Sequence, residues 1–417
     1  VNVLKTNKRK IINDPVFGFI NLQSELIFDL IEHPYFQRLR RIKQLGLSFL
    51  VFPGATHTRF EHAIGSLHLM GLAIDVLRLK GVDITNEEAD AVSVAILLHD
   101  IGHGPFSHSL ESTLVTGINH ETLSLLLMEE LNREFNGELD LAIRIFKDEY
   151  PKRFLHQLVS SQLDMDRLDY LRRDSFFSGV VEGTIGSDRI IKMLNVDADR
   201  LVVDKKGIYS IEQFLIARRL MYWQVYLHKT VLSAEFLLIN VLKRAKELVT
   251  RGVDIYGPPQ LQWLLNHYLT AEDLKNGDHK SSMIKNFVSL DDSDIISSMK
   301  VWCNHSDPVL SYLANSVINR KLFKIKIMDH SFPKKKFKYY RTIASEKYSV
   351  AEEDLDYFVF QGVITNNAYE SEYENILILF NSGKIADISE ASDIDLTALS
   401  KTVKKHYLCY PKEWDTK

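Results

Sequence analysis

The stretch that most constrains this chain is the apolar run Ala91–Leu98, which passes without a break into His99-Asp100-Ile101-Gly102-His103-Gly104-Pro105-Phe106-Ser107-His108. The run reads as a buried helix. Gly-His-Gly-Pro cannot continue it, so the backbone must turn where histidines and a carboxylate gather. A helix's last turn carries partial negative charge, which favours a cation, and imidazole beside carboxylate suggests a metal. An adjacent His-Asp pair cannot complete a shell of roughly four to six N/O ligands, so partners must come from elsewhere in the chain.

At 417 residues there is room for two or three domains around a sizeable core. Hydrophobic residues make up 45% and charged residues 25%, an ordinary balance for a soluble globular protein. No run approaches the ~18 apolar residues of a membrane span. The N-terminal segment is basic but lacks an apolar secretory core, and Cys303 and Cys409 form no close-spaced pair. A cytoplasmic enzyme without membrane association is expected. A net charge of −4 argues against a general nucleic-acid coat protein, yet permits a local basic pocket for a phosphorylated small molecule.

The spacing predicts a mainly α fold in three parts. Residues 1–20 form an N-terminal β arm, 21–320 a helical core with a helical extension, and 321–417 a smaller α/β region. Within the core, apolar periodicity predicts helices over 22–32 and 34–45, the latter with Arg38, Arg40, Arg41 and Lys43 largely on a solvated face. Arg59-Phe60-Glu61-His62 opens a long helix, and Asn86 is the expected cap of the helix that ends at His99-Asp100. Gln162 to Asp174 reads as a charge-dense helix with Asp166, Tyr170, Arg173 and Asp174 broadly on one face. A small hairpin is expected between 201–203 and 208–210, followed by helix from Ile211 to Val249. Asp291 is a further cap. The character changes near Arg320, where 321–328 and a basic tract lead into strands expected near 357–364 and 375–380, the last followed by a turn at 381–384. The basic tract Lys334–Lys338 carries interleaved aromatics, and such tracts are usually solvated linkers.

His62 at a helix start, His99-Asp100 at a helix end and Asp166 on a third helix make a set of two imidazoles and two carboxylates. Such a set, without thiolate, suits one divalent Mn, Fe, Ni, Co, Zn or Mg with open positions for water. Such a metal lowers the pKa of bound water and polarises a phosphoryl oxygen.

The ordered motifs Phe52-Pro53-Gly54-Ala55-Thr56-His57-Thr58-Arg59-Phe60-Glu61-His62, His99 to His108, His120-Glu121 and Asp164-Met165-Asp166-Arg167-Leu168-Asp169-Tyr170 strongly resemble the HD-domain phosphohydrolases over roughly residues 10–250. The likeness is greatest to the deoxynucleoside triphosphate triphosphohydrolase branch, which includes the sterile-alpha-motif and HD-domain protein and its bacterial relatives. The resemblance implies a helical HD core whose metal ligands are His62, His99, Asp100 and Asp166. It implies attack of water on the α-phosphorus of a dNTP, releasing deoxynucleoside and intact triphosphate. His120 matches the general acid, and Glu111, Glu121 and His103 the hydrogen-bond network around it. Arg59 and His108 match α-phosphate contacts, Arg167 and Arg218 contacts to the outer phosphates. Tyr170, Asp174, Gln44, Leu45 and Tyr226 match sugar-side positions, with Asp174 as acceptor for the 3′-hydroxyl.

This chain departs from the family in places. Glu111 stands where animal members have Asp, Arg167 where the family has Lys, and Tyr222 and Leu227 where the animal enzyme has His and Gln, so base tolerance does not carry across. Some members are activated by nucleotides between subunits; Lys10, Asn13, Glu32, Gln37 and Arg40 match those positions, and a homo-oligomer, dimer or tetramer, is implied. Other readings are a phosphatase or phosphodiesterase for another nucleotide, a second metal at His103, His108 and His120, or a non-catalytic nucleotide sensor. Nucleic acid is not expected as a partner. The presence of all four expected ligands counts against a decayed site.

Overall fold

The computed structural model describes residues 10–106, 113–114, 117–267, 277–366, 369, 375–396, 399 and 401–415. Its centre is the helix Arg59–Leu79, packed on Asn86–Leu98 and on Met165–Ser178. Thr58 and Glu61 close a capping box at the start of Arg59–Leu79 and fix where its first turn begins. By length and composition this helix could cross a membrane, but its apolar window is 72% buried inside the protein and it serves as a core helix. At Gly65 a Cβ would lie 1.9 Å from Asp169 Oδ1 and 2.2 Å from Arg173 Nη2, so only glycine lets Met165–Ser178 bring those charged groups against the central helix.

The fold is mainly α, as expected, and several local expectations are corrected. The cap of Asn86–Leu98 is Thr85, not Asn86: Glu88 N donates to the Thr85 hydroxyl at 3.1 Å while Thr85 N donates to the Glu88 carboxylate at 2.8 Å. The stretch 34–45 is no single helix but a turn, Pro34–Gln37, followed by a 3-10 segment, Arg38–Arg41. Arg38 is fully buried rather than solvated. Its guanidinium donates to the carbonyls of Ile101 and His103, each at 2.9 Å, and stacks on the Phe287 ring.

The arm is a hairpin, β1 (Ile11–Asp14) against β2 (Gly18–Asn21). The second hairpin is displaced from its expected position: β3 (Leu194–Asp197) pairs with β4 (Arg200–Asp204), turning at Ala198 and Asp199, both with positive φ. Ala-Asp lacks the Asn-Gly signature of that turn. Ile208 instead starts the helix Ile208–Met221, since Ile208, Ile211 and Leu215 pack into the core together. The run expected to be helical to Val249 breaks at a π-helical segment, Tyr222–Tyr226, and continues as Lys229–Thr250, bent by 56°. Such segments often serve functional sites, and this one sets Tyr222 and Tyr226 on the wall of a cavity.

Towards the C-terminus, β5 (Lys324–Met328), β6 (Phe360–Asn366) and β9 (Val403–Tyr410) form an antiparallel sheet in the order β5-β9-β6. β7 (Leu377–Leu379) pairs in parallel with β4 and antiparallel with β8 (Ile385–Asp387), so these late strands complete a sheet begun by the β3-β4 hairpin. The basic tract at 334–338 is the first turn of a helix, Lys334–Tyr348, and not a linker. Asp291 caps Asp292–Trp302 as expected.

Candidate metal centre and adjoining cavity

Three helix ends converge on one point. His62 comes from the first turn of Arg59–Leu79, His99 and Asp100 from the end of Asn86–Leu98, and Asp166 from the first turn of Met165–Ser178. One ligand atom each from His62, His99 and Asp166 lies within 4.8 Å of the others. Asp166 Oδ1 is 3.0 Å from His62 Nε2 and 3.5 Å from His99 Nε2. Asp100 closes the set, its oxygens 3.4 Å from His99 Nε2 and 3.7 Å from His62 Nε2. Ligand atoms around a metal with ~2.1 Å bonds stand about 3.0–3.4 Å apart, close to this spacing.

The chemistry of the donors fits a metal as well. His62 Nδ1 faces Asp169 Oδ2 at 2.7 Å, and His99 Nδ1 faces the carbonyl of Ile96 at 2.6 Å. Both acceptors hold a proton on Nδ1, which leaves Nε2 as the atom that would face a metal. Both Nε2 atoms are buried and turned toward the Asp166 carboxylate. Burial works to lower the His62 pKa, but hydrogen bonds and charge from Asp166 and Asp169 outweigh it and raise the group to about 10. The same balance raises His99, through Asp100 and Asp166. Burial would raise Asp100 and Asp166, yet the neighbouring imidazoles, and Arg59 at Asp100, hold both well below the usual carboxylate range. The cluster is thus electrostatically prepared for positive charge at its centre.

Behind His62 runs a chain of buried charge that the sequence reading did not single out. Asp169 receives Arg173 through both oxygens, at 2.9 and 3.0 Å, and Arg173 Nη1 reaches Asp14 of the β1-β2 arm at 2.8 Å. Arg173 therefore does not share the face of Asp166, Tyr170 and Asp174; it is fully buried. Carboxylate behind a metal-binding imidazole orients the ring, and its loss typically costs about 10- to 100-fold in metal affinity. Asp169→Asn should therefore weaken metal binding by that factor in a metal titration. Unchanged affinity would show that Asp169 does not hold His62 for the ion.

A cavity of about 660 Å³ opens beside the cluster. His99, Asp100 and Asp166 line it, with Arg59, His103, His120 and Glu121 at the metal end and Gln44, Leu45, Arg167, Tyr170, Asp174 and Tyr226 around it. Arg59 ion-pairs with Asp100. His103 Nδ1 lies 3.2 Å from Asp100, and its ring stacks on His120 with centroids 3.9 Å apart. Burial, then the charge of Arg59, lowers His103 to about 3 and keeps it neutral. Arg167 pairs with Asp164. Tyr226 donates to Asp174 Oδ2 at 2.8 Å, and burial together with that carboxylate pushes its hydroxyl well above its usual value.

Two expected residues, His108 and Glu111, lie outside the described residues, as does any second metal that would need His108. Arg218 does not line the cavity; it is buried and donates to Gln162 Oε1 at 2.9 Å. Of the five positions matched to nucleotide activation, Asn13 and Arg40 line a separate cavity of about 330 Å³ beside the arm. Gln37 accepts from Arg40 Nε at 2.9 Å, while Lys10 lies over the Phe28 ring and Glu32 is exposed. Residues that sequence reasoning missed include Phe146, His156 and Ser160 on the cavity wall, and Arg38, which holds the turn carrying His103. Local spacing does not mark Arg38, because its carbonyl partners lie 63 and 65 residues away.

The comparisons with known proteins agree with this geometry. Residues 59–174 match the HD domain and residues 185–253 the HD associated region. YwfO of Bacillus subtilis is 32% identical over 424 residues, covering 98% of this chain and 94% of that protein. A homolog of deoxynucleoside triphosphate triphosphohydrolase SAMHD1 in Dictyostelium discoideum is 32% identical over 271 residues, 60% of this chain and 52% of its own length. The crystal structure of a phosphohydrolase from Bacteroides thetaiotaomicron superposes with a TM-score of 0.92 at 54% identity, covering 96% of this chain and 99% of that one. With the converged His62, His99, Asp100 and Asp166 and this coverage, the chain belongs to the HD-domain phosphohydrolase superfamily and resembles its deoxynucleoside triphosphate triphosphohydrolase branch.

Proposed function

We propose that this hydrolase cleaves dNTPs to deoxynucleoside and inorganic triphosphate. The observation that carries the reading is the polarity of the cavity beside the His-Asp cluster: cations Arg59 and Arg167 and the stacked His103-His120 pair share it with Tyr170, Tyr226 and Asp174. About 660 Å³ falls within the range of small-molecule sites. His62, His99, Asp100 and Asp166 would hold one divalent metal, which when bound would polarise the phosphoryl group as a Lewis acid and acidify water.

The chain's own groups do the rest. Arg59 and Arg167 offset the charge of the triphosphate, with Arg218 behind Tyr222 adding to the local field and His108 a further α-phosphate contact. His120 delivers a proton to the departing 5′-oxygen as water attacks the α-phosphorus, and His103, Glu121 and Glu111 set its hydrogen bonding. Asp174 accepts the 3′-hydroxyl, while Tyr170 and Tyr226, with Gln44 and Leu45, line the sugar side as a wall that would exclude a 2′-hydroxyl. Nucleotide activation at Asn13, Arg40 and Gln37, with Lys10 and Glu32, between subunits of a cytoplasmic dimer or tetramer completes the reading.

Product analysis with Mn²⁺ or Mg²⁺ and each of the four dNTPs, alone and mixed with dGTP, should detect inorganic triphosphate. Arg167→Ala should lower triphosphate release far more than hydrolysis of a nucleoside monophosphate. No triphosphate under any metal or mixture would overturn the reading.

A further inference from the structure

We propose that His57 is a positioning residue that holds the Asp174 carboxylate in place for the 3′-hydroxyl of the bound sugar, an inference that rests on the sugar-side reading of Asp174 above. His57 lies in the loop before Arg59–Leu79 and is 2% exposed. Its Nε2 stands 2.8 Å from Asp174 Oδ1. An ionised carboxylate only accepts, so the proton of the imidazole is on Nε2.

Asp174 is held from two sides. Oδ1 takes His57 and Oδ2 takes the Tyr226 hydroxyl, each at 2.8 Å, from two elements that meet only in the tertiary structure. With both oxygens pinned, the carboxylate cannot rotate about its χ2, and the remaining lone pairs keep a set direction at the cavity surface.

His57 is itself fixed in three ways. Phe177, nearly one turn beyond Asp174 on the same helix, stacks on the imidazole with centroids 4.4 Å apart and planes 15° apart. Gly54 brings the loop against that helix end, where a Cβ would come within 2.6 Å of the Phe177 carbonyl. The His57 carbonyl accepts from Gln44 N at 3.0 Å, so the residue also anchors a second cavity-lining position through its backbone. A loop whose imidazole merely filled space would need neither the aligned Nε2 nor the stacked ring.

The test compares a 2′-deoxynucleotide with its 2′,3′-dideoxy analogue on wild type, His57→Leu and His57→Gln, by turnover and, separately, by equilibrium binding of the two nucleosides. Wild type should favour the 3′-hydroxyl. His57→Leu should lose roughly 10- to 100-fold on the 2′-deoxy substrate, mostly in KM, and almost nothing on the dideoxy substrate. His57→Gln, which can still donate to Asp174, should regain most of the preference.

Should His57→Leu fail to fold, His57→Gln and Phe177→Leu carry the same comparison, the latter predicted to narrow the preference with both hydrogen-bonding groups intact. Equal losses on both substrates, or a wild type that binds both nucleosides alike, would overturn the role of His57. A wild type that shows the His57-dependent binding preference yet releases no triphosphate would leave His57 in place and overturn the proposed reaction instead.

Discussion

Replacing Asp166 by alanine should abolish metal retention and lower turnover by at least about 10³-fold, because Lewis-acid stabilisation is worth several kcal/mol and each ~1.4 kcal/mol is a factor of ten. The residue projects into the cavity from the first turn of Met165–Ser178 and sits against both imidazoles, at 3.0 and 3.5 Å. Its backbone role is minor, since the helix is capped by Asp164. Metal content per chain should drop while the helical circular dichroism stays unchanged. Chelation of the wild type should reproduce the loss, and added Mn²⁺ should restore wild type but not the variant. A variant that retains both metal and turnover would remove Asp166 from the site.

The second large effect is on stability. Arg173→Met should cost about 3–5 kcal/mol, the usual result of removing one partner from a buried ion pair and leaving the other charge uncompensated. Here two carboxylates would lose their cationic partner, Asp169 and Asp14, both buried with Arg173 between them. Methionine replaces the length of the side chain but none of its donors. Denaturant unfolding followed by circular dichroism measures the difference, and limited proteolysis should show the arm cut sooner, because Asp14 joins it to the core through this contact. An unchanged unfolding midpoint would show that Asp14 and Asp169 are satisfied without Arg173.

The two substitutions separate two roles within one helix. Asp166, Tyr170 and Asp174 lie four residues apart and face the cavity, whereas Asp169 and Arg173 share the buried side. Sequence spacing identified the first stripe. It placed Arg173 with them because a charged residue next to Asp174 has no marker of burial until Gly65, a hundred residues earlier, is seen to admit it.

Much of the site was legible without coordinates. His62, His99, Asp100 and Asp166 stand at helix starts and ends that capping residues and glycine-proline breaks announce, so residue types and positions alone marked them as candidate ligands, and the structure brings the four side chains together. The helical class, the arm, and the strands near 360–366 and 377–379 followed from periodicity and composition, while the strand at 324–328 was not marked. Local signals failed where two conformations compete closely. Ala198-Asp199 makes a hairpin without the residues that usually favour one, and Ile208 joins a helix because a buried face awaits it.

What the sequence determined by itself is therefore the inventory: two imidazoles, two carboxylates and the helices that carry them, all set by short-range patterns. What only the tertiary structure decided is who stands behind each group. Asp169 behind His62, His57 behind Asp174, Arg38 behind the His103 turn and Asp14 behind Arg173 are separated by 107, 117, 65 and 159 residues. Buried polar groups must find partners within hydrogen-bond reach, and that demand acts through space, where no local periodicity records it.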